Sequence, residues 1–149
     1  NALRLFKFDQ TIYVESESKK VGCLHIPDAL MDQIRQGDCV EIKADRLVRV
    51  DVLMEEYTHL LTDHDELRHL LSLLTQRYGK EQITKWQQLA AEGLYPALVE
   101  ELLIKHYDPA YQDSIARNFS QYQKARILTV KSAQQTSYLE LAQQLLQSN

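Results

Sequence analysis

Residues 38–50 read DCVEIKADRLVRV, and the fold prediction starts from this stretch. Residues 38–44 alternate between apolar and polar side chains, the period of two that is typical of a half-buried strand. From Asp45 onward the spacing of apolar residues becomes helical, and aspartate is a residue type that caps helix N-termini. The sequence therefore predicts a strand that leads directly into a helix, which begins at Asp45 and runs to about residue 61.

Upstream of this stretch, the sequence predicts a second strand and a short helix. Residues 11–14 are β-branched and aromatic, which favours a buried strand. Pro27 starts a helix over residues 28–35, and Gly37 ends it. Because the connections are short, we expect residues 11–14 and 38–44 to pair in parallel through a right-handed crossover.

Downstream, helical patterns continue to about residue 119 and a last strand follows. Asp63 or Asp65 is expected to cap a helix that ends at Tyr78 and Gly79, and the next helix is expected to begin at Lys80. Residues 125–130 return to a strand pattern, and an amphipathic helix completes the chain. This order predicts half of a doubly wound α/β domain into which a helical subdomain is inserted.

The overall composition is that of an ordinary globular protein with an acidic balance. The 149 residues carry a formal net charge of −4, which argues against a dedicated nucleic-acid-binding domain but allows a local basic strip. No apolar run approaches the roughly 20 residues that a membrane span needs. The two cysteines lack CxxC spacing and the five histidines lack ligand spacing. We therefore expect a cytoplasmic protein with no membrane association and no metal site of its own.

The end of the first predicted strand is a candidate binding site. Ligands of open parallel sheets lie outside the carboxyl ends of strands, where P-loop proteins also place an acid that holds Mg²⁺. Glu15 or Glu17 is thus a candidate metal-associated acid, with Lys19 or Lys20 near a phosphate. On the local pattern alone, the favoured interpretation is that these charged side chains lie on a solvent-exposed loop and bind no ligand.

Arg49 and Glu56 form a second candidate, because a spacing of seven places them on the same helical face. Arginines near a helix start can bind phosphate, although ordinary surface ion pairing is favoured locally.

Tyr107, Asp108 and Tyr111 form a third candidate. Asp108 followed by Pro109 predicts a helix N-cap, whose removal costs on the order of 1 kcal/mol. Tyr107 and Tyr111 are suited to stacking on bases or to internal packing, and packing is the favoured interpretation.

Three ordered motifs resemble the family of bacterial tRNA 2-selenouridine synthases. Residues 13–22, YVESESKKVG, and 24–30, LHIPDAL, resemble the segment that follows the phosphate loop in that family. Residues 49–57, RVDVLMEEY, resemble its R-x-x-x-L-x-x-E-Y pattern. Residues 102–111, LLIKHYDPAY, resemble its LL-x-x-Y-Y-D-P-x-Y pattern, with His106 in place of the first tyrosine.

The resemblance implies the carboxyl-terminal part of a longer enzyme, one that follows a rhodanese-like domain with the catalytic cysteine and a phosphate loop. Such an enzyme acts on wobble 2-thiouridine of tRNA, adds a geranyl group from geranyl diphosphate, and replaces it with selenium from selenophosphate. The implied fold is helix-rich α/β, with an incomplete P-loop-like parallel sheet of about three strands and a large helical insertion. Its parts are residues 1–44, the strand–helix–strand part; 45–124, the helical subdomain; and 125–149, the last strand and helix.

The resemblance also implies which residues contact tRNA, diphosphate or Mg²⁺. They are Glu15, Glu17, Ser18, Lys19, Arg49, Glu56, Tyr107, Asp108 and Tyr111. No catalytic residue and no bound cofactor are expected within these residues, so the chain alone is expected to be inactive and to need the rhodanese and phosphate-loop segments as partners. Two other functions fit the residues themselves, a stand-alone RNA- or protein-interaction module and part of a P-loop small-molecule kinase.

Overall fold

The structure is a computed structural model that describes residues 10–16 and 19–147. Within these ranges the strands are β1 (Lys20–Val21), β2 (Leu24–His25), β3 (Val40–Ala44) and β4 (Arg126–Val130). The α-helices are α1 (Asp28–Gln36), α2 (Arg46–Glu56), α3 (Thr58–Thr62), α4 (His64–Leu73), α5 (Thr75–Ala91), α6 (Tyr95–Leu102), α7 (Asp108–Asn118) and α8 (Gln135–Leu146). None of these helices is long and apolar enough to cross a membrane.

Strands β3 and β4 form a small parallel sheet, as the α/β prediction requires. Their register places Val40 opposite Arg126 and Ala44 opposite Val130. Leu128 and Val130 are buried on one face, where they pack with Leu141 of α8. The ladder of hydrogen bonds joins β3 to β4, and burial of this apolar face holds α8 against the sheet.

The predicted strand over residues 11–14 is wrong in the part of the chain that the structure describes. This segment joins neither sheet, and the exposed fractions of Ile12, Tyr13 and Val14 are 46%, 43% and 56%. The Tyr13 hydroxyl instead donates a hydrogen bond to the carbonyl of Leu145, 3.1 Å away, at the end of α8. A β-forming sequence becomes a strand only where a neighbouring edge pairs with it, and the partner of β3 is β4.

The helical insertion between β3 and β4 has its own core. Trp86 and Leu98 are its most buried side chains, and they pack with Leu67, Leu71 and Ile83. This cluster joins α4, α5 and α6, so it accounts for most of the apolar burial in the insertion.

Helix boundaries in the insertion agree with the prediction at one place and differ from it at another. The single helix expected from Asp45 to about residue 61 is divided at Tyr57 into α2 and α3. The boundary expected at Gly79 is confirmed, because the backbone of α5 leaves helical geometry there, with a φ of 77°. Glycine tolerates this left-handed conformation because it has no Cβ.

The predicted caps are confirmed at one helix and wrong at another. The Asp63 carboxylate accepts a hydrogen bond from the backbone N–H of Glu66 at 3.0 Å and caps α4. Asp45 precedes α2 but makes no capping bond through its side chain.

Candidate functional site

A cleft of about 450 Å³ lies between α1, α7 and the chain that precedes β1. Ser16 and Lys19 line it from the first candidate segment, and Tyr107 and Tyr111 line it from the third. The Ser16 and Tyr111 hydroxyls are 3.1 Å apart and hydrogen-bonded. The structure therefore brings together two segments that are about 90 residues apart in the sequence.

One wall of the cleft is a face of α7 and of the turn before it. The Tyr107 and Tyr111 rings are stacked, with centroids 5.6 Å apart and planes inclined by 10°. Ser114 and Asn118 continue the same face toward the end of the helix. Both tyrosines remain about half exposed, so part of each side chain is accessible from the cleft.

The opposite wall comes from α1, where Met31 and Arg35 lie one turn apart. Phe119 lines the cleft as well and is buried. The cleft thus combines apolar and aromatic surface with cationic and hydroxyl groups.

Lys19 is held at the cleft by Asp28, the first residue of α1. The two side chains form an ion pair, and the hydrogen bond from Lys19 lowers the pKa of the Asp28 carboxyl. The ammonium group is therefore partly neutralised, but it stays at the cleft surface.

Arg49 and Asp108 connect the second candidate segment to the third. The guanidinium donates two hydrogen bonds to the carboxylate, at 3.0 Å and 2.5 Å, and each side chain is 31% exposed. The hydrogen bond to Asp108 raises the pKa of Arg49 above its usual value. This bidentate pair fixes α2 against the start of α7.

The capping role predicted for Asp108 is wrong. A π-helical turn over Leu103–Tyr107 runs directly into α7, and the Asp108 side chain makes no capping bond. Because the helix continues through this point, there is no free N-terminus for the carboxylate to cap, and the carboxylate binds Arg49 instead.

The other candidates do not line the cleft in the described part of the chain. Glu15 and Glu56 are exposed. Glu17 and Ser18 lie outside the described residues. Among the described residues, no three His, Cys, Asp or Glu side chains lie close enough together to hold a metal ion.

The π-helical turn also places His106 against the helical core. Its Nδ1 lies 2.9 Å from the Tyr78 hydroxyl, and the two rings meet edge to face. Burial lowers the pKa of His106, and the nearby charge of Arg77 lowers it further.

We expect this lowered pKa to make stability pH-dependent. The unfolded chain binds the His106 proton more readily than the folded chain, so the stabilisation is complete above a pH of about 6.5 and is lost as the pH falls below it. The melting temperature of the native chain should therefore fall more between about pH 7.5 and pH 5.5 than that of His106→Gln. Thermal melts at several pH values test this, and parallel curves would contradict it.

Sequence reasoning missed several cleft residues, although their spacing carried a signal. Tyr107 and Tyr111 begin a series that Ser114 and Asn118 continue at intervals of three and four, which is the repeat of one helical face. Arg35 follows the buried Met31 by four residues on α1. What could not be seen in the sequence is that these two faces oppose each other.

Comparison with known proteins agrees with the three motifs. The family model described as the tRNA 2-selenouridine synthase AAA domain matches residues 2–147. A tRNA 2-selenouridine synthase from Alcanivorax borkumensis is 27% identical over 133 residues, an alignment that covers 72% of this chain and 37% of that relative. The chain thus spans little more than a third of the relative's length. No solved structure matches it. The match along nearly the whole chain shows that it belongs to the tRNA 2-selenouridine synthase family, in the part described as the AAA domain.

Proposed function

We propose that this chain is a tRNA-contacting part of a transferase that converts wobble 2-thiouridine to 2-selenouridine through an S-geranyl intermediate. Geranyl diphosphate and selenophosphate are then substrates of the complete enzyme. The proposal is supported by membership of the family and by the name of the Alcanivorax borkumensis relative, which specifies a tRNA 2-selenouridine synthase.

The observation that carries the proposal is the cleft between α1 and α7. Stacked, half-exposed tyrosines offer flat surfaces for unpaired bases, and proteins that bind single-stranded RNA commonly stack bases on such rings. Lys19 adds a cation at the mouth of the same cleft, within a chain whose net charge is negative. These groups suit a nucleotide of an RNA loop better than an apolar ligand.

We further propose that the chain works within a longer polypeptide that supplies a rhodanese-like domain and a phosphate loop. The alignment covers only 37% of the relative. Ile42 of β3 and Ile127 of β4 are 56% and 54% exposed, whereas parallel sheets are normally covered on both faces. Additional segments packed on this sheet would bury both side chains.

Crosslinking of the full-length enzyme to its tRNA, followed by peptide mapping, tests the proposed contact. We expect crosslinked peptides from residues 10–36 and from residues 103–119, because these segments form the cleft walls. Peptides from α4 and α5 serve as the internal control, since the cleft lining includes no residue of either helix.

Crosslinks confined to other parts of the polypeptide would remove the cleft from the tRNA-binding surface. The chain by itself should be assayed in parallel for 2-selenouridine formation with tRNA, geranyl diphosphate and selenophosphate. Measurable product from the chain alone would contradict its proposed dependence on the longer polypeptide.

A further inference from the structure

We infer that Arg35 binds a tRNA phosphate in the cleft, with the adjoining base on the Tyr107–Tyr111 stack; this inference rests on the proposed function. Neither the motifs nor the comparisons assign a role to Arg35. In this arrangement Arg35 contacts the RNA directly, and the cleft holds one nucleotide that is turned out of the RNA stack.

The hydrogen bonding of Arg35 gives the first reason. Its Nε is buried and has no hydrogen-bond partner in the described part of the chain. A buried donor without an acceptor is unfavourable, and most such groups in native structures are paired. Arg35 also lines the cleft, so a small shift of its side chain would bring Nε and a terminal guanidinium nitrogen to two phosphate oxygens. This is the bidentate geometry that favours arginine over lysine.

The charges around the cleft give the second reason. Lys19 and Arg35 are the cationic side chains of its lining, and Lys19 is already bonded to Asp28. Asp28 also lies within electrostatic reach of Arg35, but its side chain is mostly exposed, so water screens this attraction. The three groups leave one excess positive charge, and Arg35 is the group with an unused donor.

The shape and lining of the cleft give the third reason. A volume of about 450 Å³ lies in the range of small-molecule sites, so it admits a single nucleotide unit and excludes a duplex. Ser114 and Asn118 lie along the same wall as the stacked tyrosines and supply hydroxyl and amide groups. RNA loops are commonly recognised in this way, with bases turned outward onto aromatic rings.

Equilibrium binding of tRNA to the full-length enzyme, measured at several salt concentrations, tests the inference. Arg35→Gln should weaken binding by about tenfold, because a charge-assisted contact is lost. It should also reduce the slope of log K against log salt by about one, and Arg35→Lys should restore part of the affinity. Arg68→Gln is the matched control, since Arg68 is an exposed arginine of α4 outside the cleft.

The outcomes separate this inference from the proposed function. If the native enzyme does not bind tRNA, the proposed function fails; if it binds and Arg35→Gln binds equally well, only the assignment of Arg35 fails. If Arg35→Gln and Arg68→Gln lose equal tRNA affinity, the effect is one of general charge and the assignment of Arg35 is wrong. Inorganic diphosphate is a further probe. If it raises the melting temperature of the native enzyme but not of Arg35→Gln, and the variant still binds tRNA like the native enzyme, then Arg35 binds a free diphosphate and the inference is wrong.

A second variant keeps the inference testable if Arg35→Gln does not fold. Ser114→Asp places a carboxylate in the cleft on an exposed helical position, so it should repel a phosphate without removing a core contact. Native-like melting with unchanged tRNA affinity in Ser114→Asp would overturn the placement of the phosphate.

Discussion

Replacing Trp86 with alanine is expected to lower the free energy of unfolding by about 3–5 kcal/mol, the cost of deleting a large buried aromatic side chain. Trp86 is fully buried, its ring lies 5.2 Å from that of Tyr78, and its Nε1 donates to Glu101 at 3.4 Å. The cavity left behind would adjoin Leu98, which is buried to the same degree, so the surrounding helices cannot easily close it. For a chain of this size, the loss corresponds to a melting temperature lower by about 10 °C.

Two variants make the Trp86 prediction specific. Trp86→Phe retains most of the apolar contact and loses the hydrogen bond to Glu101, so it should cost clearly less than alanine. Leu73→Ala removes a leucine that is exposed on α4 and should change stability by less than about 0.5 kcal/mol. Urea unfolding followed by circular dichroism measures all three, and a Trp86→Ala loss no larger than that of Leu73→Ala would refute the core assignment.

The helices of this region and their buried faces could be predicted from the sequence, because helical periodicity is a local signal. The apolar spacing that places Leu67, Leu71 and Trp86 on buried faces can be recognised within windows of about 11–18 residues. The cap at Asp63 was equally local, since its acceptor and donor are three residues apart. Patterns of this length predicted most helices and both strands of the parallel sheet.

The errors came from contacts between residues distant in sequence. Residues 11–14 have a strand composition, but a strand also needs an edge that pairs with it. Among the described residues β3 pairs with β4, more than 80 residues downstream, and residues 11–14 join neither sheet. Asp108 has the sequence of a cap, yet the helix continues through it and Arg49 binds its carboxylate from another helix. The family resemblance identified Tyr107 and Tyr111 as candidate site residues. That Arg35 of α1 lines the same cleft could be recognised only from the structure.

The second large effect is expected from breaking the pair between Arg49 and Asp108. Each single alanine variant should lose about 1–3 kcal/mol of unfolding free energy, because it leaves the remaining charge partly buried and unpaired. Since both variants remove the same interaction, the double variant should lose less than the sum of the two, with a coupling of about 1–2 kcal/mol. Arg49→Lys should recover only part of the loss, because an ammonium cannot form the two parallel bonds.

The pair of Arg46 and Glu100 is the matched control for this cycle. Arg46 lies one helical turn before Arg49 on α2, but its pair has a single bond of 3.3 Å between two exposed side chains. Such surface pairs couple by less than about 1 kcal/mol. Because Asp108 directly follows Tyr107, loosening Arg49 should also disturb the tyrosine stack, so tRNA affinity in the full-length enzyme should fall for Arg49→Ala and not for Arg46→Ala. Equal coupling in the two cycles would show that the Arg49 pair is an ordinary surface contact with no part in shaping the cleft.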